Sequence, residues 1–186
     1  MIINNETIVK DDNPILRQRS KDVTLPLSKG DEQLLRDMYQ YVYESTIDEI
    51  AKEKDLRPAV GISAVQVGVL KKMTAIILKD EDGNVVKEYA LVNPKIVSNS
   101  IEKAYLKSGE GCLSVVDEHK GYIYRSARVK AKGYDLLTNS NVEIKASGYL
   151  AIVLQHELDH FKGVLFYDYI NKKDPYYEDG EAICLE

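Results

Sequence analysis

The sequence is poor in the residues that form disulfides or bind metals, so the positions of these residues are informative. Among 186 residues there are two cysteines, three histidines and no tryptophan. Two cysteines are too few for a disulfide framework, and a chain of this length buries enough surface to fold without one. The first residues show neither the basic nor the apolar part of a secretory signal. We therefore expect reduced thiols and a cytoplasmic location.

Long apolar runs and an excess of positive charge are also missing. The longest apolar stretches, such as residues 75–78, are far shorter than the roughly 20 residues of a membrane-spanning helix. The net charge is −5, from 25 basic and 30 acidic side chains. This balance argues against a general binder of nucleic-acid backbones, although it leaves room for a local basic patch. We expect neither a membrane nor DNA as a partner.

The chain shows no internal repeat, no low-complexity tract and no Gly/Ser-rich linker, which predicts a single domain over residues 1–186. Apolar residues at helical spacing predict a helix that begins after Ser28 and runs to about Lys54. Branched apolar residues predict strands at 73–78 and 85–92, where Asn93-Pro94 is expected to end the second strand. The first half of the chain therefore contains a helix followed by strands.

The second half contains two alternating segments and a more apolar helix. Residues 129–133 and 142–146 alternate apolar and polar side chains, which predicts an antiparallel pair with one face in solvent. The helix begins near Gly148, is apolar around most of its circumference and is expected to end at Gly163. We predict an α+β fold, with antiparallel sheets packed around this central C-terminal helix and the N-terminal helix outside.

The C-terminal helix carries a pattern typical of metal-dependent hydrolases. His156 and His160 are four residues apart, so both imidazoles lie on one face of the helix and can bind one metal ion. Glu157 follows the first histidine and can accept a proton from a water molecule on that ion. A chance pair of structural histidines is disfavoured, because burying two imidazoles and a carboxylate without partners is costly.

A catalytic metal usually has three protein ligands, and the residues alone leave the third ligand open. A metzincin-like site would need a histidine at the position of Phe166. Glu178 lies at a plausible distance for a thermolysin-like site, although in a polar tail. Cys112, between small residues in an extended stretch, is the other candidate. We assign no role to Cys184, which lies near the C-terminus.

Three stretches, taken in order, resemble the peptide deformylase family. Residues 59–68 read Ala-Val-Gly-Ile-Ser-Ala-Val-Gln-Val-Gly and are similar to that family's Gly-x-Gly-aliphatic-Ala-Ala-x-Gln stretch. Residues 110–114 read Glu-Gly-Cys-Leu-Ser, and the His-Glu-x-x-His helix follows them. Residues 13–16, Asn-Pro-Ile-Leu, resemble the family's N-terminal segment, so the resemblance covers nearly the whole chain.

The chain departs from the family pattern at a few positions. Ala59 stands where glycine is usual, Ser63 where alanine is usual and Val65 where proline is common. These changes bear on local loop geometry rather than on the activity. The loop at 115–122 is longer than in the commonest type and resembles the longer-loop subclass of Gram-positive and related bacteria. We expect His119, in this polar loop, to be solvated.

The resemblance implies an enzyme that removes the formyl group from the N-formylmethionine of newly made polypeptides and releases formate. It implies three metal ligands, which are Cys112, His156 and His160. Glu157 would act first as a base and then as an acid. The side-chain amide of Gln66 and the backbone N–H of Leu113 would stabilise the oxyanion.

The resemblance also implies the cofactor and the partners. One divalent ion is expected, with Fe(II) as the native ion, and Zn(II), Ni(II) or Co(II) also suit one sulfur and two imidazoles. The expected partners are N-formylmethionyl peptides and nascent chains, with contact at the ribosome left open.

Substrate binding is expected to depend on the backbone near Gly61, which allows close approach of an extended peptide. Val60, Ile152 and Val153 correspond to the walls of the family's methionine pocket. Glu110 is expected to support the site rather than carry a proton.

Two other functions compete with this interpretation. A metalloprotease would use Glu178 as the third ligand and would lose its metal in a Glu178→Ala variant. An inactive relative would bind formylated or other N-termini without turnover, but binding alone does not need the proton carrier Glu157. The deformylase interpretation instead predicts that Cys112→Ala loses the metal.

Overall fold

The computed structural model describes residues 1–186 and shows the predicted α+β arrangement. The α-helices are α1 Lys29–Ser45, α2 Asp48–Glu53 and α3 Gly148–His160. The strands are β1 Gly61–Ser63, β2 Met73–Lys79, β3 Val85–Asn99, β4 Lys103–Leu106, β5 Arg125–Ser126, β6 Arg128–Asp135, β7 Ser140–Ser147 and β8 Ile183–Leu185. None of the helices combines the length and the apolar character needed to cross a membrane.

The strands form two sheets. The larger has the order β1-β2-β3-β6-β7 with every neighbouring pair antiparallel, which includes the predicted β6–β7 pair. The smaller has the order β5-β4-β8, and its β4–β8 pair is parallel. Because β1 is the first strand of the larger sheet, one of its edges has no strand partner.

Helix α3 packs on one face of the larger sheet and is central and buried, as predicted. Its apolar side chains meet those that point inward from β6 and β7, which alternate with exposed residues along both strands. The contacting residues are Val129, Ala131, Ile144, Ala146, Leu150, Val153, Leu154 and Leu158. The helix ends at His160, three residues before the predicted end. Gly163 has φ +73°, and a β-carbon there would overlap the carbonyl of Arg17.

Helix α1 packs on the opposite face of the sheet, over β2 and the first part of β3. Ser28 caps its N-terminus, since the Ser28 side chain accepts a hydrogen bond from the backbone N–H of Asp31. The buried residues Leu35 and Met38 belong to the same cluster as Ala75 and Ala90 of the sheet. The sheet is therefore covered on both faces near β2. Helix α1 does not extend over β6 and β7, so the face of these two strands that points away from α3 is left uncovered by it.

Two boundaries differ from the predictions. The first helix does not run unbroken to Lys54, because it stops at Ser45 and resumes at Asp48. The side chains of Ser45 and Thr46 donate hydrogen bonds to carbonyls one turn back, and this competes with the helix at consecutive residues.

Strand β3 does not end at Asn93-Pro94 but continues to Asn99. The register with β6 shifts between Val92 and Lys95, where Asn93 has φ +51°. The proline sits in this irregularity, where its missing N–H does not interrupt a regular ladder. The Asn93 side chain also pairs with the backbone of Val23 at 2.8 Å in both directions.

Candidate active site

Three side chains with soft donor atoms converge beside α3. His156 and His160 lie one helical turn apart, and the Cys112 Sγ atom is 3.5 Å from the His160 Nε2 atom. The ligand atoms of these three residues all lie within 4.8 Å of one another. A tetrahedral ion with ordinary metal–sulfur and metal–nitrogen bonds separates its donors by about 3.6 Å. The donor set and its spacing therefore fit one divalent ion.

The alternative third ligand, Glu178, is exposed and lies outside this cluster. Cys184 is exposed in β8 and is also outside the cluster. The structure thus brings Cys112, and neither of these residues, to the histidine pair.

Glu110 orients one of the histidines. Its Oε2 atom is 2.8 Å from Nδ1 of His156, which leaves Nε2 of that imidazole for a metal. Arg125 holds Glu110 in turn, since its Nη2 atom donates to Oε2 at 2.8 Å and its Nε atom donates to Oε1. The same guanidinium donates from Nη1 to the Asp159 carboxylate at 2.9 Å. All three charged side chains are at most 8% exposed.

This arrangement ties the segment that carries Cys112 to the helix that carries the histidines. Arg125 comes from β5, Glu110 from the loop before Cys112, and Asp159 from the last turn of α3. A buried guanidinium shared by two carboxylates gives a fixed geometry because each hydrogen bond is directional and unscreened by water.

The two histidines differ in their protonation equilibria. Burial lowers the pKa of His160 well below its ordinary value, and the positive charges of His156 and Arg125 lower it further. The pKa of His156 is raised to about 10, because hydrogen bonds to Cys112 and Glu110 outweigh the opposing effect of burial. His160 is therefore neutral and ready to bind a metal, whereas a metal at His156 must displace a proton.

Glu157 lies on the adjoining face of α3 and points toward β1. Its Oε2 atom accepts a hydrogen bond from the Ser63 hydroxyl at 2.7 Å, and the Thr74 hydroxyl lies 3.5 Å away. Burial raises the pKa of this carboxyl above its ordinary value, an effect opposed by the charge of His156. A carboxyl group whose pKa is raised toward neutral pH can both accept a proton and donate it again.

Gln66 is buried rather than solvated, which is the opposite of the usual situation for a glutamine in a loop. Its Oε1 atom accepts from the backbone N–H of Ser63 at 2.8 Å, and this fixes the side-chain amide. The Nε2 group is then directed at the metal cluster, 3.4 Å from the Cys112 Sγ atom and 3.2 Å from the Ser114 hydroxyl. The backbone N–H of Leu113 makes no hydrogen bond within the protein.

A cleft of about 340 Å³ opens over these groups. It is lined by nearly all the residues assigned from the sequence, including the predicted pocket residues just before β1 and on α3. These lining residues are Val60, Gly61, Gln66, Glu110, Cys112, Leu113, Ile152, Val153, His156 and Glu157. His160 lies below the cleft, with 1% of its surface exposed.

His119 departs from the expectation that it is solvated. Its ring stacks on Tyr167 with the centroids 4.1 Å apart, and it meets the edge of Phe166 at 6.1 Å. Phe166 also stacks on His156, with centroids 6.1 Å apart. The polar loop is therefore anchored by aromatic contacts to the segment that follows α3.

Several residues near the site were not predicted from the sequence. Tyr149 lines the cleft, and its spacing of three or four residues from Ile152 and Val153 could have revealed it. Arg57 lines the cleft from the loop before β1 and donates to the Leu113 carbonyl at 3.2 Å. No local pattern marks Arg125, because its partners Glu110 and Asp159 are far away in the sequence.

The sequence is similar to that of a known enzyme family over nearly its whole length. The sequence model of the family described as polypeptide deformylase matches residues 5–176. Among curated proteins, peptide deformylase 2 of Bacillus subtilis is 45% identical over 185 residues, covering 100% of both chains. The peptide deformylase of Ligilactobacillus salivarius is 43% identical over 187 residues, again covering 100% of both.

Solved structures of peptide deformylases are also similar to this chain. The peptide deformylase of Ehrlichia chaffeensis in complex with actinonin has a TM-score of 0.71 and 32% identity, covering 93% of this chain and 91% of that one. A class I type b peptide deformylase from Acinetobacter baumannii has a TM-score of 0.72 and 29% identity, covering 91% of this chain and 100% of that one. The chain therefore belongs to the polypeptide deformylase family, metal-dependent enzymes that remove the N-formyl group from newly synthesised polypeptides.

Proposed function

We propose that this chain hydrolyses the formyl amide of N-formylmethionyl peptides with Glu157 as the proton carrier. The observation that carries the proposal is the convergence, at the base of one cleft, of three metal-binding side chains, a buried carboxyl and a fixed amide donor. Each of these groups has a role in the hydrolysis of an amide.

The metal would be held by Sγ of Cys112 and by the imidazoles of His156 and His160. A divalent ion bound there lowers the pKa of a water molecule to near neutrality and polarises the formyl carbonyl. One sulfur and two nitrogens suit Fe(II), Zn(II), Ni(II) and Co(II), and we propose Fe(II) as the native ion on the strength of the family resemblance. Metal analysis of protein purified without oxygen tests this assignment.

Glu157 would take the proton from the attacking water and later deliver it to the leaving amine. Its raised pKa makes the carboxylate a better proton acceptor and brings the group closer to neutral pH, where one carboxyl group can alternate between base and acid. Ser63 holds the Oε2 atom at 2.7 Å, so the other oxygen is directed toward the cleft side, next to Gly61. The carboxyl group is thus positioned before substrate binds.

Attack on the formyl carbon creates an oxyanion that needs hydrogen-bond donors. We assign this role to the Nε2 group of Gln66 and the backbone N–H of Leu113. The Gln66 amide is held by its Oε1 atom, and its Nε2 group makes only long contacts, at 3.4 Å to the Cys112 Sγ atom and 3.2 Å to the Ser114 hydroxyl. The Leu113 N–H has no partner within the protein. Removing one such donor typically costs about 3 kcal/mol in the transition state.

The peptide would bind along the free edge of β1. This strand is the outermost of the larger sheet and lines the cleft at Gly61, so an extended chain can add to the sheet by backbone hydrogen bonds. Val60, Ile152 and Val153 give the cleft apolar walls suited to the methionine side chain. Glu110 also lines the cleft but is engaged by His156 and Arg125, so we assign it to positioning.

The substrates would be nascent chains, because the formylmethionine of a polypeptide is at its exposed N-terminus from the start of synthesis. We propose that the enzyme meets them in the cytoplasm and at the ribosome.

The experiment is an anaerobic assay of formate release from formyl-Met-Ala-Ser with Fe(II)-loaded protein. We expect turnover by the wild type and a loss of at least about 100-fold in Glu157→Gln, a variant of nearly the same size. Formate release no higher than that of the variant would overturn the proposal. The metal content of both proteins, measured in parallel, separates a lost proton carrier from a lost ion.

A further inference from the structure

The outer face of β6, β7 and the second half of β3 carries a concentration of positive charge. Lys95 of β3 is opposite Lys132 of β6, which is opposite Glu143 of β7. In the next row Ser98 is opposite Lys130, which is opposite Lys145. Arg128 extends the same face by two residues along β6. We call this surface, formed by Lys95, Arg128, Lys130, Lys132 and Lys145, the basic face.

The basic side chains on this surface outnumber the carboxylates. Lys130 and Lys132 both approach Glu143, at 3.8 and 3.3 Å, and Lys145 adds to the positive potential that lowers the pKa of this carboxyl. Arg128 pairs with Glu102. Five cations therefore share two carboxylates, in a chain whose net charge is −5. The lysine side chains stay accessible, with 42% of Lys130 and 55% of Lys132 exposed.

A shallow groove of about 540 Å³ crosses the basic face. Besides three of the cations, it is lined mainly by small residues with hydroxyl or amide groups, which are Ser98, Asn99, Ser100 and Ser147. Alternating cations, hydroxyls and amides are the usual donors to phosphate oxygens in nucleic-acid complexes. Phosphate groups could therefore receive both charge and hydrogen bonds along this groove.

No other element covers the basic face. Helix α1 packs over β2 and the first part of β3, and α3 packs on the other side of the sheet, against Val129, Ala131, Ile144 and Ala146. The cleft is formed by α3, β1 and the loop of Cys112. A partner on the basic face would therefore leave the cleft open to substrate.

We propose that the basic face binds the phosphate backbone of RNA. Charge complementarity favours a polyanion, and the groove offers the hydroxyl and amide donors that phosphates accept. An anionic membrane is the less suitable partner, because the groove has no large apolar or aromatic side chain to enter the bilayer. This inference concerns a surface separate from the cleft and does not depend on the proposed mechanism.

The test is fluorescence anisotropy of a labelled RNA hairpin of about 20 nucleotides, titrated with the full-length protein at several salt concentrations. In a face variant, Lys130→Gln, Lys132→Gln and Lys145→Gln are combined. We expect this variant to bind at least about 10-fold more weakly, with the slope of log affinity against log salt reduced by about 2 to 3. Its formate release should equal that of the wild type, which also shows that it is folded.

The matched control combines Lys29→Gln, Lys52→Gln and Lys173→Gln, three exposed lysines elsewhere with no ion pair. It has the same net charge as the face variant and should keep the wild-type affinity and slope. The single variant Glu143→Gln, which removes a carboxylate from the face, should bind about 3-fold more tightly. No RNA binding at low salt, an equal loss in the control, or binding to phosphatidylglycerol vesicles without binding to RNA would overturn the proposal.

Discussion

Gly61 lies directly against the carboxylate of Glu157, and the structure leaves no space there for a side chain. A β-carbon at position 61 would lie 2.6 Å from Oε1 and 2.9 Å from Cδ of Glu157. The backbone of Gly61 is also held in the sheet opposite Ile76, so it cannot move away freely. The glycine therefore serves two purposes, since it admits the carboxyl group and lines the edge along which we propose that the peptide binds.

We predict that Gly61→Ala displaces Glu157 and lowers kcat by about 100-fold, the effect expected for a catalytic group moved by about 1 Å. The metal content should stay at the wild-type level, because position 61 does not touch the ligands. Steady-state kinetics with formyl-Met-Ala-Ser and metal analysis of the same preparation provide the measurements.

Gly30→Ala is the matched control for this substitution. Gly30 lies in the first turn of α1, where a β-carbon would have only a contact at 3.9 Å. Alanine favours helix over glycine, so the control should be as active as the wild type and slightly more stable. Full activity in Gly61→Ala would show that Glu157 tolerates displacement, against the role assigned to it.

The third metal ligand is tested by a pair of substitutions with opposite expected results. Cys112→Ala removes the sulfur from the cluster and should abolish both metal retention and formate release. Glu178→Ala changes an exposed residue outside the cluster and should preserve both. Atomic emission analysis after dialysis against buffer without metal measures retention. A metal-free Glu178→Ala protein would instead support the thermolysin-like ligand set.

Two buried serines make a second pair of substitutions, for which we expect different effects on the free energy of unfolding. The Ser45 hydroxyl donates to the Val42 carbonyl and accepts from the N–H of Ala59, whereas the Ser20 hydroxyl is buried without a partner. Ser45→Ala should therefore lower the free energy of unfolding by about 1 to 2 kcal/mol, and Ser20→Ala should leave it unchanged or raise it by about 1 kcal/mol. Urea unfolding at neutral pH measures both, and a large loss in Ser20→Ala would contradict the prediction.

The sequence is most informative where an interaction is local. The spacing of His156 and His160 follows from helical geometry alone, and Ser28 caps α1 as its residue type suggests. The alternation in β6 and β7 likewise predicts which face is buried, because strand period and burial are directly linked.

Interactions between distant segments could not be predicted in this way. Nothing near Arg125 in the sequence shows that it joins Glu110 to Asp159, since the three come from different elements. The stacking of His119 on Tyr167 depends on how the loop folds back, so the polar sequence around it predicts solvent exposure instead. The identity of the third ligand belongs to the same class, and the residues alone left Cys112 and Glu178 as alternatives.

The buried contact between Glu110 and Arg125 predicts a pH dependence of stability. Burial by itself would raise the pKa of Glu110, but hydrogen bonds from His156 and Arg125 outweigh it and hold the pKa below its ordinary value. A carboxyl group with a lowered pKa in the folded state contributes stability above its unfolded pKa of about 4.3, and this contribution disappears as the pH falls through the folded value.

Glu110→Gln should therefore cost about 3 kcal/mol at pH near 6, because it leaves a buried guanidinium with one carboxylate partner. The difference between wild type and variant should begin to shrink as the pH falls below about 4.3, and it should disappear at a pH below the lowered folded-state pKa of Glu110. Urea unfolding at both pH values, with a chelator present throughout so that metal release does not contribute, measures this change. A difference that stays constant between the two pH values would show that the Glu110 charge does not stabilise the fold.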